Sequence, residues 1–203
     1  MKMIKKIYLA AIIALLSSTA AFSQGSGIWN FQWDMGIGVG NTADFVGAYS
    51  VRGFALEGRG YVSENVTLGG RWAWDVFYEN YGWTTQKSED GTTSLYGYSR
   101  HYMNAMPIMA TMHYTFNSSK IIPYIGFGIG TYYLETRNML GIYYTQQKAW
   151  HFGLAPEAGV IIPFGQTSNW GLNVNFRFNW AAKTKDTDQQ TWINPSVGFS
   201  YYW

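Results

Sequence analysis

The stretch that decides the fold is the last one, Thr191-Trp192-Ile193-Asn194-Pro195-Ser196-Val197-Gly198-Phe199-Ser200-Tyr201-Tyr202-Trp203. From Ile193 onward its odd-numbered residues are apolar or aromatic, and from Asn194 to Ser200 its even-numbered residues are small and polar. Successive side chains of a β-strand point to opposite faces, so this alternation predicts a strand with one apolar and one polar face. A last strand that ends on an aromatic residue is typical of a closed barrel in lipid, where it pairs with the first strand and leaves no edge.

Seven earlier segments alternate in the same way. They cover residues 29–40, 54–62, 66–78, 102–116, 123–134, 150–164 and 170–180. Each has about the length that a tilted strand needs to cross a bilayer. Short connectors at 63–65, 117–122 and 165–169 alternate with longer ones at 41–52, 80–101, 136–149 and 181–190, as periplasmic turns and extracellular loops do. Because proline lacks an N–H, we expect a local irregularity at Pro107.

The residue types on the two faces favour a membrane barrel over a soluble one. One face carries most of the tryptophans, and the other is rich in glycine, asparagine, arginine and glutamate. A secreted lipocalin-like barrel would turn its apolar side chains inward and its charges outward. The sequence therefore predicts an all-β fold, a single eight-stranded antiparallel up-and-down transmembrane β-barrel.

The N-terminus has the order of a secretory signal peptide. Lys2, Lys5 and Lys6 precede a short apolar run, and Ala21-Phe22-Ser23 offers small residues before a cleavage site at Gln24. We expect residues 1–23 to be a signal for export through the Sec pathway and residues 24–203 to form the barrel. Cleavage leaves 11 basic residues against 12 acidic ones, so nucleic acid is not an expected partner. The absence of cysteine excludes disulfides and thiolate chemistry.

The chain resembles the small eight-stranded outer-membrane barrels, the group of OmpX and the OmpA transmembrane domain. The resemblance is carried by the strand Pro123-Tyr124-Ile125-Gly126-Phe127-Gly128-Ile129-Gly130, by Pro156-Glu157-Ala158-Gly159, and by the aromatic C-terminus. It implies a Gram-negative outer-membrane location. It also implies that the assembly machinery of that membrane reads the last strand through Phe199, Tyr201 and Trp203. The family's usual last residue is phenylalanine, and here it is Trp203.

Charged residues fall on the inward face of the predicted barrel. Reflecting neighbouring strands about their turns places Glu57 opposite Arg71 and Glu157 opposite Arg177, and we expect these to be ion pairs. The other inward-facing candidates are Asp34, Arg59, Asp75 and His113. Because an eight-stranded barrel is only wide enough for its side chains to fill, these residues predict a polar plug, with a rearranging network in a narrow gated pore as the alternative.

Other possible chemistry is poorly supported by the residues. The glycine series at 36–40 and 126–130 alternate inside strands with no helix after them, so no nucleotide or other cofactor is expected. Three histidines without ligand spacing predict no metal. A lipid-modifying enzyme is the remaining alternative, because Ser99, His101 and His151 fall near the outer rim. No motif places a base and an orienting acid beside them, so we predict no catalytic residues.

The long loops are where partners are expected. Tyrosine and tryptophan among serine and glycine make adaptable contact surfaces. The candidate contacts are Trp83, Tyr96, Tyr98, Tyr143 and Tyr144, although these residues could equally belong to strands that extend above the membrane. The sequence thus predicts a non-catalytic surface barrel or accessory subunit. Its expected partners are outer-membrane lipid and lipopolysaccharide, the assembly machinery, and other outer-membrane or host-surface proteins.

Overall fold

The computed structural model describes residues 26–203 except 48, 88–93, 117–119, 166 and 186. The predicted signal peptide and its cleavage site lie outside the described residues. The strands are β1 (Gly27–Asp34), β2 (Ile37–Val39), β3 (Arg52–Tyr61), β4 (Val66–Lys87), β5 (Ser94–Thr115), β6 (Ile122–Leu140), β7 (Tyr143–Pro163), β8 (Trp170–Ala181) and β9 (Gln190–Tyr202). One short helix, α1 (Asn41–Phe45), follows β2.

The strands form one closed antiparallel ring, which confirms the predicted fold. Each strand from β3 to β9 pairs with the next, and β1 pairs with both β3 and β9. Gly27 N donates to Trp203 O, and Trp203 N donates to Gly27 O, each at 3.1 Å. The first barrel strand is divided into β1 and β2, because Gly36 leaves the ladder and forms a bridge with Ser50. The last residue of the chain therefore closes the ring.

Four strands are longer than predicted. β4, β5, β6 and β7 contain 22, 22, 19 and 21 residues, so most of the predicted loops 80–101 and 136–149 are strands. Apolar alternation fades there because the outer face of this part of the sheet no longer contacts lipid, while the backbone ladder continues. The ladder between β4 and β5 skips Pro107 without a change of register, as expected for a residue without an N–H.

The outer surface of the ring carries a belt of exposed apolar side chains. It includes Trp29, Phe31, Trp33, Phe54, Leu56, Trp72, Trp74, Ile108, Met112, Ile125, Phe127, Ile129, Phe152, Phe176, Phe178 and Phe199. An apolar band of this kind is the lipid-facing surface of a transmembrane barrel. Among the described residues, no helix combines the length and the apolar character required to cross a membrane.

Inward-facing glycines make room for ring side chains and for close strand contacts. A Cβ on Gly126 would lie 2.2 Å from the ring of His113, and one on Gly153 would lie 2.0 Å from the ring of Tyr132. A Cβ on Gly69 would lie 2.1 Å from the backbone oxygen of Gly58. The glycine series therefore serves the packing of the interior and the curvature of the ring.

Neighbouring glycines on β4 provide a matched test of this packing. We expect Gly69→Ala to destabilise the barrel by about 1–3 kcal/mol, because the added methyl group would overlap backbone atoms of β3. Gly70→Ala should leave stability nearly unchanged, since its Cβ would meet its nearest neighbour at 3.7 Å. Denaturant unfolding in detergent micelles measures both variants. Equal stability of the two would contradict this role of Gly69.

Candidate functional site

The eight inward-facing residues predicted from the sequence all lie inside the barrel. Each is 6% exposed or less, and they come from six strands, β1, β3, β4, β5, β7 and β8. They are Asp34, Glu57, Arg59, Arg71, Asp75, His113, Glu157 and Arg177. Buried charges are stable only when they are paired or hydrogen-bonded, so the partners of each group decide what this layer can do.

Glu157 is the centre of the largest group of contacts. Its Oε2 contacts Nη2 of Arg177, and its Oε1 contacts Nε2 of His113. Asn175 Nδ2 also donates to Oε2 at 3.3 Å. Glu157 and Arg177 are direct partners in the register of β7 and β8, so their side chains meet between adjacent strands. A carboxylate with contacts on both oxygens is held in one orientation.

Glu57 lies beside the same group but has a different set of neighbours from the predicted one. Asn30 Nδ2 donates to its Oε2 at 2.9 Å, while Nε2 of His113 and Nη2 of Arg177 lie 3.5 and 3.9 Å from its Oε1. Arg71 is its partner in the register of β3 and β4. No contact between the side chains of Glu57 and Arg71 appears among the described ion pairs.

The partner of Arg71 is Asp34, and the predicted pairing with Glu57 is wrong. Nη2 of Arg71 donates to Oδ2 of Asp34 at 2.5 Å, and its Nη1 donates to Oε1 of Gln32. Both acceptors are on β1, beyond β3. On β3, Ala55 is the register partner of Gln32, so a small side chain lies beside one of the two acceptors.

Asp75 and Arg59 take other kinds of partner. Trp192 Nε1 and Asn194 Nδ2 donate to the two oxygens of Asp75 at 3.3 and 3.2 Å. The guanidinium of Arg59 has no hydrogen-bond partner among the described residues and lies 4.8 Å from the ring centroid of Tyr124. Trp192 was not predicted as an interior residue, although its even number places it on the inward face of the last strand.

Two apolar clusters lie on either side of the charged layer. The extracellular cluster contains Val46, Phe77, Met103, Ala105, Met109, Tyr132, Leu134, Ala155, Ala181 and Trp192. The periplasmic cluster contains Ile28, Tyr124 and Ile161, with Tyr61, Ile122 and Tyr202 packed against it. Both are made of inward-facing residues of the strands, except for Val46, which follows α1.

Helix α1 lies over the extracellular mouth and is fixed to the strands around it. Thr42 Oγ1 donates to Gln190 Oε1 at 2.8 Å and accepts from Thr191 N at 2.9 Å. Phe45 stacks on the ring of His101 with 4.5 Å between centroids, and its backbone oxygen lies 2.7 Å from His101 Nδ1. The predicted loop 41–52 thus folds inward, and its Val46 is fully buried.

One group of side chains has the composition of a metal site. Glu57, His113 and Glu157 each offer a ligand atom, and these atoms lie within 4.8 Å of one another. However, Arg177 contacts Glu157 and lies 3.9 Å from Glu57, so both carboxylates already face a guanidinium. A divalent cation would add positive charge beside this arginine. The group is therefore better described as an ion-pair network.

Ser99, His101 and His151 are the residues that the sequence offered for a lipid-modifying enzyme. His151 Nδ1 lies 2.6 Å from the backbone oxygen of Ala182, whereas His101 contacts Phe45 of α1. Ser99 is buried on β5. Nucleophilic catalysis needs a hydroxyl, a base and an orienting acid in hydrogen-bond reach; the hydrogen-bond partners of His101 and His151 are backbone oxygens, of Phe45 and Ala182.

The upper parts of β4 to β7 form a second candidate site, a four-stranded sheet that rises above the apolar belt. We call it the extracellular sheet. Trp83 and Tyr96 are 66% and 71% exposed and stack with 5.5 Å between ring centroids. Tyr98 packs edge-on against Trp83 at 5.9 Å, and Tyr143 and Tyr144 are exposed on β7. All five predicted contact residues thus belong to strands rather than loops.

An apolar groove lies at the tip of this sheet. Its volume is about 210 Å³, and its lining includes Trp83, Leu95, Tyr96, Leu140, Ile142 and Tyr143. Ile142, in the turn between β6 and β7, is 90% exposed. A contiguous exposed apolar patch on an otherwise polar surface marks an interaction site. Leu95 was not among the predicted contact residues, because a single apolar residue in a polar loop carries no periodic signal.

The face of the extracellular sheet that continues the lipid-facing surface carries a small charged cluster. Arg137 Nε donates to Glu135 Oε1 at 2.7 Å, and Gln146 Nε2 donates to the same oxygen. Burial raises the pKa of Glu135, but these hydrogen bonds and the charge of Arg137 outweigh it and hold the pKa below its ordinary value. Lys148 is the register partner of Glu135 on β7. Glu135 is therefore an anion that fixes the neighbouring polar side chains.

A double-mutant cycle distinguishes the two pairings of Arg71. We expect Arg71→Met to cost about 3–5 kcal/mol, because it leaves Asp34 buried without its cation. Its coupling energy with Asp34→Asn should be about 1–3 kcal/mol, and its coupling with Glu57→Gln should be smaller, since no contact joins those side chains. Denaturant unfolding in micelles gives all of these values. A larger coupling with Glu57 would restore the pairing predicted from the register.

The fold has known counterparts among solved structures. The chain is similar to Neisserial surface protein A, with a TM-score of 0.51 and 16% identity over 87% of this chain and 96% of that one. It is also similar to the N-terminal β-barrel domain of Pseudomonas aeruginosa OprF, with a TM-score of 0.49 and 11% identity over 88% and 97% of the two chains. For Ail of Yersinia pestis the TM-score is 0.45, with 12% identity over 86% and 98%.

No protein-family model matches the chain, and no curated protein matches it either. At these identities the structural likeness describes the fold. The likeness to Neisserial surface protein A agrees with the closed antiparallel ring described above. The resemblance predicted from the sequence is confirmed: this chain is an eight-stranded transmembrane β-barrel with the fold of the small OmpX- and OmpA-like barrels of the outer membrane.

Proposed function

We propose that this protein is a non-catalytic barrel of the bacterial outer membrane that binds another protein at the cell surface through its extracellular sheet. The observation that carries the proposal is the exposed aromatic and aliphatic surface at the tip of that sheet. An apolar surface held so far from the lipid belt contributes nothing to membrane insertion. Leaving it in water is unfavourable unless a partner covers it.

The composition of this surface supports a protein partner. Tryptophan and tyrosine are enriched at the centres of protein interfaces, because they bury large areas and lose little conformational entropy. The stacking of Trp83 on Tyr96 and the edge-on packing of Tyr98 fix these rings before a partner arrives. Such preorganisation lowers the entropy lost on binding.

The barrel interior supports a plugged rather than a conducting lumen. The charged layer lies between the extracellular cluster that includes Phe77 and Trp192 and the periplasmic cluster that includes Tyr124. Helix α1 covers the extracellular side, with Val46 inserted into the upper cluster. An ion crossing this interior would have to leave its hydration shell at both apolar clusters.

The remaining parts of the functional hypothesis follow the sequence analysis. We propose export through the Sec pathway with cleavage before Gln24, and recognition of Phe199, Tyr201 and Trp203 by the outer-membrane assembly machinery. Lipopolysaccharide and other lipids of the outer membrane are the proposed surroundings of the apolar belt. Other outer-membrane proteins or host-surface proteins are the proposed binding partners of the extracellular sheet.

Planar-bilayer recordings test the plugged interior. Purified protein inserted into the bilayer should give no single-channel steps above the background, because both apolar clusters exclude hydrated ions. An outer-membrane porin inserted in parallel verifies that the membrane supports conductance. Reproducible steps from the refolded protein would favour the gated-pore alternative and contradict a lumen that is permanently filled.

Site-specific crosslinking tests the binding surface. A photo-crosslinking residue at position 143, in the apolar groove, should capture a partner on intact cells. The double substitution Trp83→Ala and Tyr96→Ala should reduce capture at least about thirtyfold, as expected when central aromatic contacts worth about 2 kcal/mol or more are removed.

Tyr49→Ala is the matched control for this experiment. Tyr49 is an equally exposed aromatic residue, 73% accessible, but it lies in the connection between β2 and β3. Its substitution should leave capture at position 143 unchanged. If the double substitution also leaves capture unchanged while the barrel remains folded, the proposed surface is wrong.

A further inference from the structure

Three hydrogen-bond acceptors without a donor lie on the inner face of the sheet, at the extracellular mouth of the barrel. They are Oε2 of Glu79 on β4, Nε2 of His101 on β5 and Oδ1 of Asn138 on β6. Each atom is buried, and none has a hydrogen-bond partner among the described residues. Because a buried polar atom without a partner costs free energy, the group needs a physical explanation.

The three residues are neighbours in the strand ladders. Glu79 is the register partner of His101, and His101 is the register partner of Asn138. Register partners point to the same face of a sheet, with Cβ atoms about 5 Å apart. That face is the inner one, because Phe45 of α1 stacks on His101, and Met103, two residues farther along β5, is fully buried. We call Glu79, His101 and Asn138 the acceptor row.

The tautomer of His101 follows from the contact of its other ring nitrogen. Nδ1 lies 2.7 Å from the backbone oxygen of Phe45, and a carbonyl oxygen can only accept, so Nδ1 carries the proton of the neutral ring. Nε2 then offers a lone pair. The ring is held by Phe45, stacked at 4.5 Å, and by Tyr81, packed edge-on at 4.8 Å. A histidine that donates one N–H to a backbone carbonyl and leaves the other nitrogen bare has the arrangement of a metal ligand.

We propose that the acceptor row binds a divalent transition-metal cation, of which zinc is the type, at the extracellular mouth of the barrel. All three unpartnered atoms are acceptors, so a single group that satisfies them together has to be electron-poor. Zinc takes imidazole nitrogen and carboxylate oxygen as ligands, whereas calcium and magnesium prefer oxygen alone. The three residues are partly exposed, so the ion and its remaining water ligands can enter from the extracellular side.

The spacing of the acceptor row suits one bound ion. A zinc ion holds each ligand atom about 2 Å away, so it joins side-chain atoms that are about 3–4 Å from one another. Facing residues of adjacent strands bring their side chains within that range without any movement of the backbone. The ligands come from three strands and are far apart in the chain, which explains why the sequence shows no metal-binding motif.

The charges around the acceptor row also favour a cation. The interior group around Glu157 already contains a guanidinium, that of Arg177. Arg100 and Arg137 neighbour the acceptor row in sequence, but strand alternation places both on the outer face, where Arg100 lies over a tyrosine ring and Arg137 contacts another carboxylate. The buried oxygen of Glu79 therefore faces the row without a cation in contact with it.

Calorimetric titration with zinc sulfate tests the site. The refolded barrel in detergent micelles, prepared without an affinity tag and freed of metal with a chelator, should bind one zinc ion per chain. H101A and E79A should each weaken the affinity at least about tenfold, because each removes one ligand. Absence of saturable binding to the unaltered protein would mean that water fills the row and would overturn the proposal. Equal affinity of the unaltered protein and both variants would overturn it as well.

H151A is the matched control for this titration. His151 also places Nδ1 on a backbone oxygen, that of Ala182, and its Nε2 is also buried without a partner among the described residues. Its register partner on β6 is Tyr132 rather than a residue with a carboxylate or amide oxygen. H151A should therefore bind zinc with unchanged affinity. Loss of zinc binding in H151A would place the ion elsewhere and contradict the acceptor row.

A substitution that strengthens binding keeps the test valid where H101A does not fold. N138D replaces a neutral amide oxygen with a charged carboxylate oxygen at the same place, so the affinity for zinc should rise about tenfold. An unchanged or lower affinity of N138D would mean that Asn138 is not a ligand and would overturn the three-residue site.

The nitrogen chemical shifts of the imidazole rings locate the bound ion. In protein labelled with nitrogen-15, zinc should shift Nε2 of His101 and leave its Nδ1 protonated, while the rings of His113 and His151 stay unchanged. A zinc-dependent shift at His113 in place of His101 would assign the ion to the interior group and overturn the proposal.

Discussion

Closure of the hydrogen-bonded ring is the constraint on which the rest of this structure depends. In lipid, each backbone N–H and C=O must find a partner within the protein, and only a sheet without edges provides one for every strand. The reciprocal bonds between Gly27 and Trp203 complete the ring. A Cβ on Gly27 would lie 2.5 Å from the indole of Trp203. The first strand therefore begins with glycine, which leaves room for the side chain of Trp203.

Ring closure with eight strands fixes the width of the interior, and the interior chemistry follows from that width. The space holds side chains from opposite walls in direct contact, so long residues such as Arg71 and Arg177 reach acids on other strands. Four carboxyl groups and three guanidinium groups share one layer, with His113 between two of the acids. Removal of Arg71 leaves Asp34 buried without its cation, and removal of Arg177 does the same to Glu157, so these pairs are important for the stability of the barrel.

The sequence predicted those parts of the structure that a strict two-residue period determines. The eight barrel strands, the inward charged residues and the facing positions of Glu157 and Arg177 follow from alternation and turn position alone. The partner of Arg71 does not, because Asp34 lies on β1, two strands away from β4, and reflection about a turn pairs only adjacent strands. The extracellular sheet was expected only as one of two equal alternatives, loops or extended strands, since its two solvated faces remove the apolar period. Helix α1 lies within a loop that carries no periodic signal.

The unequal lengths of the strands set how far the protein reaches from the lipid. Trp150 is the last exposed aromatic residue of β7 before the polar stretch, and Tyr143 is seven residues farther out. At about 3.3 Å per residue and a tilt of about 40°, this places the tip roughly 18 Å beyond the aromatic level. The headgroup region on each side of a bilayer is about 5–8 Å thick. The tip therefore clears the headgroups on one side of the barrel only, and a large object can approach it from that side without touching the membrane.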